Sequence, residues 1–110
     1  MNTHIKGQKG EDIAAKYLTK HKYKILQRNF RTAHGEIDIV ARDGDYIIFV
    51  EVKARQNDDF GAPREAVGIF KQQTIVKCAV AWLCQNKLYG APTRFDVVEV
   101  LPSGVTLIKD

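Results

Sequence analysis

Four charged residues, Glu36, Asp38, Glu51 and Lys53, sit inside two runs, GEIDIVARD and YIIFVEVKA, that otherwise read as apolar β-strands. Carboxylates facing one another across a strand pair repel, and an uncompensated charge carried into an apolar sheet is costly. Lys53 supplies one positive charge, too few for two or three carboxylates. A divalent cation held by hard oxygen ligands meets the need, so the pattern points to a site for Mg²⁺ or Mn²⁺. Two carboxylates and a lysine at E-x-K spacing can hold a metal, polarise a phosphate and orient or activate a water. The alternative that spacing leaves open is an exposed charge ladder running out with Arg42 and Arg55.

The elements that would position these groups can be read from periodicity. Residues 35–42 alternate strictly, with Ile37, Ile39 and Ala41 on one face and Glu36, Asp38 and Val40 on the other. Asp43-Gly44 is a strong signal for a two-residue type I′ hairpin loop, followed by a strand over 46–55. With that loop Arg42 pairs with Asp45, Asp38 lies opposite Phe49 and Glu36 opposite Glu51. Parity then places Glu36, Asp38, Glu51 and Lys53 on one side, with Asp38 and Glu51 about 5 to 8 Å apart at Cβ. A three-residue loop would turn Asp38 away unless a bulge restored it.

A helix over 7–20 carries Ile13, Ala14, Tyr17 and Leu18 as its apolar stripe, and Glu11 shares a side with Ala14 and Leu18. Glu11 can therefore lean toward the sheet, or serve only as a first-turn glutamate favoured by the helix dipole. A strand over 23–30 and a break at 32–35 follow. A second helix over 64–87 places Ile69, Gln73, Val76, Val80 and Leu83 on one stripe with Trp82 beside it. Gln73 stands where an aliphatic residue is expected, so it needs a polar partner: a ligand, a phosphate, a carboxylate or a backbone group. After Gly90-Ala91-Pro92 come strands over 94–101 and 105–109, separated by Pro102-Ser103-Gly104.

The resulting order, α-β-β-β-α-β-β, predicts an α/β fold: a mixed β-sheet with helices packed on it, the second helix carrying the chain across to a further strand. A length of 110 residues, 45% hydrophobic and 27% charged, fits a single domain over 1–110 with one core. The longest unbroken apolar run, residues 78–84, is far short of the roughly 20 residues needed to cross a bilayer. The polar start lacks a signal-peptide core, so a cytoplasmic protein is expected. Cys78 and Cys84 are six positions apart on one helix, a rise of about 9 Å, beyond disulfide reach. No Cys/His spacing suits zinc.

Seventeen Lys and Arg against thirteen Asp and Glu give a net charge of +4, which suits a polyanionic partner. Residues 21–31 contain Lys22, Lys24, Arg28 and Arg31 and no acid. That segment can meet phosphates, or it can be an edge strand guarded by positive charge.

The motifs G-x-x-x-G-E-D, R-N-F-R before G-E-I-D-I-V, F-V-E-V-K-A-R, F-K-Q-Q and R-F-D-V-V, in that order over nearly the whole chain, resemble the YraN-like family of small, largely uncharacterised bacterial proteins. That family is similar to the PD-(D/E)xK nuclease superfamily and to archaeal Holliday junction resolvases. The resemblance implies a restriction-endonuclease-like core and Mg²⁺-dependent hydrolysis of phosphodiester bonds in DNA, including branched or structured DNA. By position, Asp38 and Glu51 match the metal-binding acids, Lys53 the motif lysine and Glu11 the acid of the first helix. Gln73 corresponds to a polar residue on the following helix. Ile37 stands where the superfamily motif has proline, which leaves the Asp38 carboxylate in place. Arg28, Arg31, Arg55 and Lys71 become candidates for contacts to the nucleic-acid backbone. Resolvase-like relatives often act as homodimers that cut two strands, although no self-complementary patch is legible here. A non-catalytic nucleic-acid-binding module and a protein-interaction domain with structural acids are the competing readings.

Overall fold

The alternating and helical periodicities of the sequence each find their element in the computed structural model, which describes residues 3–55 and 69–109. Helix α1 spans Thr3–Lys20, strands β1, β2 and β3 span Lys24–Thr32, Gly35–Asp43 and Tyr46–Ala54, helix α2 spans Ile69–Gln85, and β4 and β5 span Thr93–Leu101 and Gly104–Ile108. This is the expected α-β-β-β-α-β-β order. Residues 56–68, which include the predicted beginning of the second helix, fall outside the described residues.

The five strands form one sheet in the order β1-β2-β3-β4-β5. Only β3 and β4 run parallel, from Ile47↔Thr93 to Ala54↔Val100; the other neighbours are antiparallel. On one face Ala14 and Leu18 of α1 pack against Tyr23, Ile39, Ala41, Ile48, Val50, Val98 and Val100. On the other face Cys78, Ala79 and Trp82 of α2 pack against Phe30, Ile37, Val40, Ile47 and Phe49. Burial on both faces accounts for the unbroken apolar run Ile47–Val50 in β3. Among the described residues no helix is long and apolar enough to cross a membrane.

Three local expectations need correction. First, Asp43 pairs with Tyr46, so the hairpin loop is Gly44-Asp45 rather than Asp43-Gly44. Gly44 has φ 61° while Asp45 is not among the residues with positive φ, so only the first central residue takes the left-handed conformation. The shift moves the register by two, bringing Asp38 level with Glu51 instead of Phe49.

Second, alternation in β2 fails between Ile37 and Ile39. Ile37 and Val40 face α2, whereas Ile39 and Ala41 face α1. Directly across the ladder, between the pairs Arg28↔Ile39 and Phe30↔Ile37, Asn29 of β1 adopts φ 55°, and β1 carries a further register shift nearby between Ile25 and Gln27. A bulged, twisted neighbour re-aims the side chains next to it.

Third, the inward stripe of α2 is Ile75, Cys78, Ala79 and Trp82, while Val76 and Val80 are exposed. Both sets have helical spacing. Trp82 decides between them, because its ring meets Phe49 edge-on at 6.0 Å and its Nε1–H donates to Gln27 Oε1 at 2.9 Å. Cys84, on the same helix, is exposed.

At the hairpin end of the sheet, buried Asp96 is held by Arg94 through a two-pronged pair, Nε to Oδ1 at 2.9 Å and Nη2 to Oδ2 at 3.0 Å. The same guanidinium donates to the Tyr23 hydroxyl at 2.6 Å and to Asp43 Oδ2 at 3.2 Å. It also lies over the Tyr23 and Tyr46 rings, a placement that favours a cation. Burial and the Asp96 charge push the Tyr23 hydroxyl up to about 12. Arg94 thus ties β1, β2 and β4 together. Arg94→Met removes the cation that balances the buried Asp96 carboxylate, and is expected to cost about 3 to 5 kcal/mol in urea unfolding. Adding Asp96→Asn should recover more than half of that loss.

Candidate metal centre

Asp38 marks the end of the β2–β3 ladder. Regular pairing runs from Asp43↔Tyr46 to Ile39↔Val50, and beyond it the Val52 N–H donates to Asp38 Oδ2 at 2.8 Å. The carboxylate therefore occupies the seam between the strands. Glu11, Glu36 and Asp38 each offer an oxygen, and these oxygens lie within 4.8 Å of one another.

Glu11 reaches this point because α1 lies close on the sheet. A Cβ added to Gly10 would come within 2.7 Å of Ala54 Cβ, so only glycine permits the approach. Asn29, in the left-handed conformation that asparagine tolerates, stands between two of the acids. With its amide nitrogen turned toward them it donates to Glu11 Oε1 at 2.9 Å and Glu36 Oε1 at 3.1 Å.

Glu51 takes a different side from the cluster. It follows Phe49 in alternation and meets α2, where Lys71 Nζ lies 3.3 Å from Glu51 Oε1 and Lys53 Nζ 3.7 Å. The expectation that Glu36, Asp38, Glu51 and Lys53 share one face is therefore not met. Glu36 stands with Glu11 on the α1 side, Glu51 and Lys53 stay on the α2 side, and Asp38 lies in the seam between them at the kink opposite Asn29.

Asp38 nevertheless senses both groups. Burial first, and then the Glu51 charge, push its carboxyl up to about 7, with Glu11 and Glu36 adding to the rise and the Val52 N–H opposing it. Burial likewise raises Glu11; Arg28 and the Asn29 bond oppose this, and Glu36 and Asp12 reinforce it. Such upward shifts record like charges crowded into a poorly solvated place.

Three of the four basic candidates are already paired with acids. Arg28 pairs with Asp12 at 2.8 Å and stands 3.8 Å from Glu11; Arg31 pairs with Glu36 at 3.2 Å. Lys71 pairs with Glu51. The Arg55 backbone N–H continues the parallel ladder to Val100 O, and its Nε is buried without a hydrogen-bond partner among the described residues. Gln73 is exposed on α2. Its neighbour Gln72 lines a cavity of about 310 Å³ beside Glu51, together with Phe49, Ile75 and Phe95.

The sequence placed Glu36 among the facing charges without naming it a metal-holding acid, and Asn29 was not singled out. An asparagine inside a strand, where that residue is depleted, was the available signal.

The donor set suits a hard divalent cation. Carboxylate oxygens from three residues surround one point, the like-charge strain on Asp38 is the kind a cation relieves, and Mg²⁺ prefers oxygen ligands at about 2.0–2.1 Å.

The chain matches the uncharacterised protein family UPF0102 over residues 10–100. It is 52% identical over 106 residues to a UPF0102 protein of Geobacter metallireducens, covering 94% of this chain and 87% of that one. It is 47% identical to a UPF0102 protein of Lachnoclostridium phytofermentans, covering 100% and 94%. Pyrococcus furiosus SfsA, solved in complex with Ca²⁺, aligns over 98% of this chain and 62% of that one at 17% identity. Its TM-score is 0.35, too low to bear on fold or function.

The Asp38 shift fixes the sign of a pH effect in metal-free protein. The unfolded chain loses this proton near 3.8 and the folded chain near 7, so the folded state holds more protons between those values. Stability attributable to this group therefore falls as pH rises through that window. Asp38→Asn should flatten this part of the profile and raise the melting temperature at pH 8. Mn²⁺ should stabilise the wild type at pH 8 and leave the variant unmoved, as read by calorimetry.

Proposed function

The chain belongs to the uncharacterised protein family UPF0102, and from that premise together with the carboxylate cluster at the β2–β3 seam we propose that it is a divalent-metal-dependent nuclease acting on DNA. The observation that carries the reading is the meeting of Glu11, Glu36 and Asp38 oxygens within 4.8 Å, with the Glu51–Lys53 pair of β3 standing on the far side of the seam. The likeness of the chain's motifs to the PD-(D/E)xK superfamily supports the same assignment, with Asp38, Glu51 and Glu11 as metal-holding acids. Branched or structured DNA is the finer reading, and it rests on the resemblance to resolvases.

Hydrolysis joins a water oxygen to phosphorus and breaks one phosphorus–oxygen ester bond. The water gives up a proton and the departing alkoxide takes one. Bound Mg²⁺ or Mn²⁺ supplies a Lewis acid that withdraws charge from the phosphate and makes water more acidic.

The chain's own residues supply the remainder. Lys53, half-buried beside Glu51, presents a localised positive charge where the phosphate gains negative charge in the transition state. Asp38 is held in place by the Val52 N–H, so its orientation needs no rearrangement when substrate arrives. Asn29 orients Glu11 and Glu36 through a neutral donor, a device that aligns ligands without adding charge.

An assay in Mn²⁺ over single-stranded, duplex, flap and four-way-junction DNA tests this directly. Cleavage by the wild type should fall at least about a hundredfold in Glu51→Gln and Lys53→Ala, with both variants retaining the wild-type circular dichroism spectrum. If none of the four substrates is cut, the binding-module reading takes its place.

A further inference from the structure

Two of the centre's acids are paired with long, exposed cations, one on each face of the sheet. Arg31 Nε lies 3.2 Å from Glu36 Oε2 on the α1 side, with 71% of the Arg31 side chain exposed. Lys71 Nζ lies 3.3 Å from Glu51 Oε1 on the α2 side, with 43% exposed. The other two cations nearby are held differently. Arg28 makes its short contact with Asp12, which is outside the oxygen cluster, and Lys53 is more deeply seated than Lys71, at 24% exposed.

Exposed ion pairs of this kind are weak and exchange readily. A divalent cation at the Asp38 seam attracts both carboxylates with twice the charge of either partner: Glu36, whose oxygen belongs to the cluster, and Glu51, which stands level with Asp38 on the neighbouring strand. It therefore wins the competition for Glu36 and Glu51. Resting on the metal-centre reading above, we infer that metal binding releases Arg31 and Lys71, and that the freed side chains then bind the phosphates of a nucleic acid.

While paired, each cation is neutralised by its carboxylate and adds little attraction for a polyanion. Once released, both flank the centre and can each neutralise a phosphate. Metal and nucleic acid then favour each other's binding, and by linkage the factor is the same in both directions. The arrangement also explains why two residues with the chemistry of backbone contacts are found on acids in the ligand-free chain.

The test is the salt dependence of binding to a labelled duplex, in Ca²⁺ and in EDTA, with duplex integrity checked on a gel. Each phosphate contact contributes about 0.9 to the slope of log K against log salt, so two released side chains add about two units. Ca²⁺ itself competes for DNA, so the quantity read is the slope difference between wild type and the Arg31→Ala/Lys71→Ala double variant. That difference should widen by about two units from EDTA to Ca²⁺. The Arg31→Lys/Lys71→Arg pair, which keeps both charges, should behave as wild type. Calorimetry of Ca²⁺ and Mn²⁺ binding separates the two levels. If neither ion binds the wild type, the metal-centre reading fails and this inference with it. If the ions bind but the slope difference stays constant, the release of Arg31 and Lys71 is overturned while the centre stands.

Discussion

A single hydrogen bond, from the Val52 N–H to Asp38 Oδ2, closes the β2–β3 ladder with a side chain where a carbonyl would otherwise serve. It is a strong bond, because the acceptor carries charge, and it holds a carboxylate in a seam that apolar strands line on both faces. The rest of the arrangement answers the electrostatic problem that this creates. Asn29 turns into the left-handed region and can offer its amide to two neighbouring acids. Arginines and lysines from β1, β3 and α2 gather around the rim. The Asp38 carboxyl stays high despite them, which marks this as the place where an added cation gains most.

The two ends of the sheet handle charge in opposite ways. At the hairpin end Arg94, Asp96, Tyr23 and Asp43 form a closed network with a rigid guanidinium fork. The contacts to Tyr23 and Asp43 tie β4 to its surroundings, and the buried acid is paired within β4 itself. At the seam end the acids outrun their buried partners, and the cations that reach them are mostly flexible and wet. Locked charge at one end suits architecture; exchangeable charge at the other suits binding.

Much of this was legible in the residues. Hydrophobic periodicity gave the seven elements and their order, and the E-x-K pattern with the alternating GEIDIV run identified Asp38 and Glu51 as groups needing more counter-charge than Lys53 supplies. The hairpin loop was read one residue early, an error that moves the register by two and so leaves parity unchanged. What parity could not reveal was the break at Asn29, because a non-glycine residue with positive φ is rare and its effect appears on the neighbouring strand. Nor could spacing choose between two apolar stripes on α2, where Trp82 and small Ala79 and Cys78 pack inward and Val76 and Val80 do not. The same rotation leaves Gln73 exposed and brings Gln72 to the Glu51 cavity. The pairing of Arg28 with Asp12 and Glu11 depends on how α1 lies across β1, a tertiary fact with no local signature, whereas Arg31 meets Glu36 as its cross-strand partner in the β1–β2 hairpin.

The parallel pairing of β3 with β4 has a kinetic consequence. Strands β1 to β3 are joined by tight turns, whereas Glu51 meets Val97 only after the chain has closed a long loop through α2. Loop-closure entropy and contact order make the first event fast and the second slow. Glu36, Asp38 and Glu51 all lie on the early meander, so their mutual repulsion has to be tolerated in the folding transition state before Lys71 arrives with the crossover helix. The clustered acids thus weigh on the rate of folding as well as on the stability of its product, and ions that screen them should speed the early event.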